Sequence, residues 1–177
     1  FVVQIIAGMR IFLIGYMGSG KTTIGRVVAE RLGLSFVDMD AHIESKYHKT
    51  VSQIFSEFGE EKFRKMERKC LLEVAEFEDV IISTGGGAPC FFDNMDVMNE
   101  KGETVYIRLT PKELSIRLKT TTLHKRPILA SYQGDDLEKF IASNLEQRER
   151  FYTQAKHTVS GMDKVIEEQI TALFQAK

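Results

Sequence analysis

The chain lacks most of the features that mark specialised protein classes. Its 177 residues include only two cysteines, Cys70 and Cys90, too few on their own for a disulfide framework or a four-ligand zinc site. A reducing, cytosolic setting is therefore expected. Charge of one sign is also missing. The chain has 24 Lys and Arg against 25 Asp and Glu, a formal net charge of −1, which argues against a strongly basic nucleic-acid surface. The aromatic residues are scattered and no basic stripe accompanies them, which argues against a nucleic-acid stacking platform. The apolar run over residues 1–14 is interrupted by Gln4, Gly8 and Arg10. It falls short of a membrane span of about 20 residues and has no positive leader of the secretory kind. No repeat and no low-complexity tract is visible.

What is present is ordinary globular composition, 43% hydrophobic and 28% charged. At this length one domain is expected, burying roughly 70% of the unfolded chain's surface. Residues 1–8 read as an added or upstream remnant before a domain beginning at Met9, with a longer first strand as the alternative. Short apolar runs then alternate with helical stretches. Strands are expected at 10–14, 35–37, 80–83, 103–109 and 158–159. Helices are expected at 21–32, 41–47, 51–58, 60–77, 111–119, 137–155 and 163–175. Such alternation predicts right-handed βαβ units and a parallel sheet covered on both faces. The long polar stretch from Thr120 to Asp136 has the character of a lid.

Gly15-Tyr-Met-Gly18-Ser19-Gly20-Lys21-Thr22 fits G-x-x-x-x-G-K-[ST] between a predicted strand and a predicted helix. The glycines let backbone N–H groups wrap phosphate oxygens, and the helix N-terminus adds positive potential. Lys21 is suited to the β- and γ-phosphates and the Thr22 hydroxyl to Mg²⁺. A chance match in such a chain is on the order of one in a hundred. Asp38 and Asp40, in Phe36-Val-Asp-Met-Asp40, emerge at the carboxyl end of the second strand, where open α/β sheets bind ligands. One can serve the metal and the other a substrate hydroxyl, although acids placed there also cap helices. Thr84-Gly85-Gly86-Gly87 leaves backbone open to a ligand.

Arg64 and Glu67 are i, i+3 neighbours, so Glu67 can orient a guanidinium toward a planar anion. Arg126, in Lys125-Arg-Pro127, is a candidate mobile arginine over the phosphates. Arg148 and Arg150 lie on the late helix. The guanine-reading N-K-x-D of signalling GTPases is missing. His42, His48, His124 and His157 lack zinc-ligand spacing and are expected to be exposed. Cys70, spaced with Met66 and Val74, reads as a core thiol, and nothing marks Cys90 as a nucleophile. The residues alone thus describe a kinase of small molecules. Gluconate and nucleoside monophosphates are rival acceptors, and a nucleotide-binding module without chemistry is a rival of another class.

Together these motifs resemble the shikimate kinase family: G-Y-M-G-S-G-K-T-T-I-G-R at 15–26, F-V-D-M-D at 36–40, G-E-E-K-F-R-K-M-E at 59–67, T-G-G-G at 84–87, R-P at 126–127 and R-x-x-x-Y at 148–152. The likeness runs from Met9 to the C-terminus. It implies a three-layer αβα P-loop kinase fold with a five-stranded parallel sheet, similar to the nucleoside monophosphate kinases. An acceptor-binding segment over 40–68 and a lid over 118–133 go with it. It implies transfer of the γ-phosphoryl of ATP to the 3-hydroxyl of shikimate with Mg²⁺, toward chorismate and the aromatic amino acids. By resemblance, Gly18, Ser19, Gly20, Lys21, Thr22, Thr23 and Arg126 bind ATP, and Thr22 and Asp38 serve the metal. Asp40, Arg64, Gly86 and Arg148 hold shikimate, and Lys21, Asp40 and Arg126 carry the chemistry. The adenine-packing cation is Arg117 or Lys119, with a further contact from the loop after Val159. Where the family often has Pro-Leu-Tyr, this chain has Arg150-Phe151-Tyr152. A cytoplasmic monomer with no nucleic-acid or membrane partner completes the expectation.

Overall fold

Three runs rich in bulky apolar residues form the inner strands of one sheet: β1 (Arg10–Ile14), β3 (Val80–Ser83) and β4 (Glu103–Ile107). Strands covered on both faces read as nearly continuous apolar sequence, and these three are buried along almost their whole length. The more polar β2 (Ser35–Asp38) and β5 (His157–Val159) take the edges. The order is β2-β3-β1-β4-β5, and every pairing is parallel, so all carboxyl ends share one edge. The computed structural model describes residues 8–121, 131–132 and 134–175.

Helices flank the sheet: α1 (Lys21–Leu32), α2 (Met39–Tyr47), α3 (Val51–Val74), α4 (Asn94–Lys101), α5 (Pro111–Thr121), α6 (Asp136–Tyr152) and α7 (Asp163–Phe174), with a 3-10 turn at Ala88–Cys90. Left-handed glycines bracket α1, Gly20 at φ 92° and Gly33 at φ 69°, a conformation that costs glycine little. Thr50 and Gln53 close a reciprocal capping box at the start of α3, satisfying two backbone donors. The two helices expected on either side of Gly59 are both present within α3, broken at Gly59, whose φ of 79° and ψ of 170° are not helical. Helix α4 is an element the sequence reading left out. It is short and mostly polar, and only Met95 and Met98, with Asn94, are buried. Two apolar positions cannot establish a period.

Register sets the site. Leu13 lies opposite Ser83 in the β1–β3 pair, and Asp38 lies opposite Ser83 in the β2–β3 pair. The loops that follow these three strands therefore leave the sheet side by side. Thr84 fastens two of them: its N–H and its hydroxyl both donate to the Leu13 carbonyl, at 3.1 and 2.9 Å. The main core wraps the sheet, while a smaller one (Ile43, Ile54, Phe63, Cys70) joins α2 to α3. Among the described residues no helix is long and apolar enough to cross a membrane.

At the opposite edge Gly102 lets β4 start close to β1. A Cβ there would stand 2.6 Å from the Arg10 carbonyl oxygen, and backbone cannot swing aside as a side chain can. Gly102→Ala should cost about 1–3 kcal/mol and lower Tm by about 2–10 °C in thermal unfolding. An unchanged Tm would show that the strands absorb the methyl group.

Candidate active site

The loop between β1 and α1 folds as a phosphate cradle. Gly15, Gly18 and Gly20 all have positive φ, at 151°, 78° and 92°, and two of them lie under tight cover. A Cβ on Gly15 would meet the Ile107 carbonyl oxygen at 2.8 Å, and one on Gly18 would meet Leu118 Cδ2 at 2.8 Å. Lys21, 8% exposed, donates from Nζ to the Gly15 and Tyr16 carbonyls at 2.7 and 3.0 Å. Its ammonium is thus held over the loop mouth by neutral acceptors that a phosphate can replace. Ser19 Oγ is buried and has no hydrogen-bond partner among the described residues. A buried orphan hydroxyl is costly unless something binds it, and a phosphate oxygen fits. Thr23 lies exposed in the first turn of α1.

The two acids divide by direction. Asp38 caps α2, Oδ1 accepting from the Ala41 N–H at 3.1 Å, while its Oδ2 accepts from the Thr22 hydroxyl at 2.8 Å. Capping and a site role are therefore not alternatives here. Ser83 Oγ lies 3.4 Å from Thr22 Oγ1. The result is a knot of hard oxygen donors, the set that Mg²⁺ selects. Asp40, in the first turn of α2, faces the third strand's loop instead. A Cβ on Gly85 would meet Glu67 Oε2 at 3.1 Å and Asp40 Oδ1 at 3.3 Å.

Three consecutive glycines form the floor, and each admits a different neighbour. Gly85 admits the Asp40 and Glu67 carboxylates. Gly86 lies under the phosphate loop, where a Cβ would sit 3.2 Å from the Met17 backbone nitrogen and 3.7 Å from Arg148 Nη1. Gly87 admits Arg64, since a Cβ would fall 2.5 Å from Nη2. Arg64 lies over the Phe91 ring, its Cζ 4.2 Å from the centroid. Its Nη1 donates to Glu67 Oε1 at 2.9 Å, with Glu60 Oε1 at 3.3 Å from Nη2. Burial pushes the Glu67 carboxyl above its ordinary range, against the pull of Arg64, and the nearby Asp40 charge adds to the rise.

Arg148 turns inward over the Tyr16 ring, at 5.4 Å, whereas Arg150 is exposed and lies over Phe151. The Tyr152 hydroxyl donates to the Gly86 carbonyl. Burial raises that phenol's pKa well above its ordinary value, so it remains a donor.

Arg117 reaches the phosphate loop, where a Cβ on Gly20 would be 3.1 Å from its Nη1, and it pairs with Asp163. Lys119 donates instead to the Gly134 carbonyl at 3.1 Å. A cavity of about 620 Å³ has walls that include Arg108, Pro111, Leu145, Ser160 and Gly161, the last two opening the loop after Val159. Its lining contains none of the expected phosphate or acceptor residues. Arg126, and with it Lys125, Pro127 and His124, lie outside the described residues, as does most of the expected lid.

Two expectations change. His42 and His157 are half-buried rather than exposed, paired with Glu73 at 3.2 Å and Glu103 at 2.8 Å. Phe91 and Asp163, which belong to no motif, and Tyr16, at a variable position of the phosphate loop, are further neighbours of the site.

Comparisons with known proteins bear on this geometry. The family model for shikimate kinase matches residues 17–176. A curated shikimate kinase of Parabacteroides distasonis is 55% identical over 167 residues, 94% of this chain and 96% of the relative. A crystal structure of shikimate kinase from Bacteroides thetaiotaomicron superposes with a TM-score of 0.86 at 48% identity, covering 93% of this chain and 96% of that one. The shikimate kinase from Acinetobacter baumannii in complex with shikimate has a TM-score of 0.80 at 35% identity, covering 93% and 92%. By family model, by identity across nearly its whole length and by fold, this chain belongs to the shikimate kinase family.

Proposed function

We propose that the crevice between the phosphate loop, Asp40 and the triple-glycine turn is where this chain performs its family's reaction, the ATP-dependent phosphorylation of shikimate in aromatic biosynthesis. The observation that carries this reading is the glycine floor. It brings a phosphate cradle, two carboxylates and two guanidinium groups to one turn. In this reading the domain runs over 9–177, with the acceptor segment at 40–68 and the lid at 118–133, and acts as a cytoplasmic monomer on small molecules alone.

Each group then has a task. Backbone N–H groups of Gly18, Ser19 and Gly20 hold the phosphates of ATP, with Ser19 Oγ and Thr23 nearby. Lys21 exchanges its loop carbonyls for phosphate oxygens. Thr22 and Asp38 are the residues that would hold Mg²⁺, which when bound neutralises phosphate charge. Arg64 and Arg148 grip the acceptor's carboxylate, since a guanidinium fork matches a carboxylate in two places, and Gly86 lies beneath it. Asp40 orients the acceptor hydroxyl and takes its proton late in a loose transfer, where positioning and charge outweigh proton removal. Arg117 is assigned to the adenine side and Arg126 to the transferring phosphoryl.

Coupled ADP release should therefore require shikimate and a divalent cation. Gluconate in its place, or excess chelator, should give no turnover above background. Asp38→Asn should raise the Mg²⁺ concentration needed for half-maximal rate. Equal turnover with chelator would remove the metal from this reading.

Asp40→Asn keeps size and most hydrogen bonding while removing charge and basicity. kcat should fall by about 10²–10⁴-fold with the KM for ATP little changed. A kcat within about threefold of the parent, far below the general-base range, would make the charge dispensable.

Gly87→Ala drives a methyl group into the Arg64 guanidinium. The KM for shikimate should rise by about 10–100-fold while that for ATP stays put. A change confined to ATP would sink the assignment of Arg64.

A further inference from the structure

One turn beyond Glu67 on α3, three metal-binding side chains meet across the α2–α3 seam. His42 comes from α2, and Cys70 and Glu73 sit three residues apart on α3. Their ligand atoms all lie within 4.8 Å of one another, and His42 Nε2 is already 3.2 Å from Glu73 Oε2. Linear spacing hides the group, because Cys70 lies 28 positions after His42. We propose that this seam binds a borderline-soft divalent cation of the zinc class through His42 Nε2, Cys70 Sγ and a Glu73 carboxylate oxygen, with water as the fourth ligand.

The donor chemistry selects the cation. An imidazole, a thiolate and a carboxylate suit zinc, and a thiolate is a poor partner for magnesium. Closing the ligands to bonding distance takes small movements of groups that can make them. Glu73 is 45% and His42 26% exposed at the side chain, while buried Cys70 forms the fixed base.

The Lys46 ammonium, 2.8 Å from Glu73 Oε2, shows that the cluster already attracts positive charge. It is also the competitor: on binding, Lys46 leaves Glu73 for solvent and the Cys70 thiol gives its proton to water. A ligating thiol must lose its proton, so affinity rises with pH, as it does for any thiolate site. His42 follows Asp40 by two residues, and Arg64 shares α3 with the other ligands. A bound cation would therefore clamp together the two helices that carry the acceptor's partners.

The test uses the full chain, stripped with chelator and returned to metal-free buffer. Zinc at a hundredfold excess over its dissociation constant should raise Tm by about 5 °C or more, and magnesium at the same concentration should not. Cobalt(II) should give a near-ultraviolet sulfur-to-metal charge-transfer band. Cys70→Ser should abolish the band. His42→Asn, a change at a half-exposed side chain that leaves the core alone, should weaken zinc binding by at least about tenfold. Lys46→Gln should tighten it. A parent Tm unmoved by zinc overturns the proposal. So does a cobalt band that survives Cys70→Ser, which would assign the cation to Cys90, or unchanged zinc affinity in His42→Asn. None of these readouts depends on the kinase reaction, so their failure leaves the functional reading standing.

Discussion

Three missing side chains hold the site open. At Gly85 and Gly86 a methyl group would press on the acidic pair and the phosphate loop, and at Gly87 it would collide with Arg64. The turn follows β3, the strand between β1 and β2, so its neighbours are fixed by sheet register. Leu13 and Asp38 both pair at Ser83, the residue just before the turn's Thr84. Backbone thus replaces side chain where three loops must converge, and the groups that converge are charged.

Charge at such close quarters needs partners, and the structure supplies them locally. Glu67 is almost fully buried, a position that penalises its ionised form. The i, i+3 bond to Arg64 offsets that penalty. Removing either partner would strand the other in a dry setting, which is far costlier than losing a surface pair. The ion pair therefore fixes the guanidinium as well as neutralising it. The Phe91 ring beneath and Gly87 beside it leave Arg64 little freedom. A preset guanidinium loses less entropy on meeting a planar anion, which suits the acceptor carboxylate of the family's substrate.

Lys21 and Asp38 follow the same logic at the nucleotide end. Both are engaged within the protein, Lys21 with two loop carbonyls and Asp38 with Thr22 and the α2 backbone. These contacts hold both side chains in place at the end of the crevice where a triphosphate and its cation would lie. The second small core, between α2 and α3, stands apart from the sheet and links Asp40's helix to Arg64's. Whatever stiffens that seam bears on the acceptor end of the crevice.

The sequence by itself determined the sheet, most helices and the phosphate loop, because these rest on local signals. Apolar runs make inner strands, glycines with Lys-Thr make the cradle, and Arg64 with Glu67 pairs across one helical turn. It also held the order of motifs by which the family is recognised. Only the tertiary structure decided which of several cations faces the crevice. Arg148 rather than Arg150 turns inward, and Arg117 rather than Lys119 meets Gly20, since helix phase against a distant loop is not written in spacing. Helix α4 escaped notice because two buried methionines set no period. The grouping of His42 with Cys70 and Glu73 was equally hidden: it exists only because α3, broken at Gly59, packs back along α2, and contacts between elements are made by packing rather than by sequence neighbourhood.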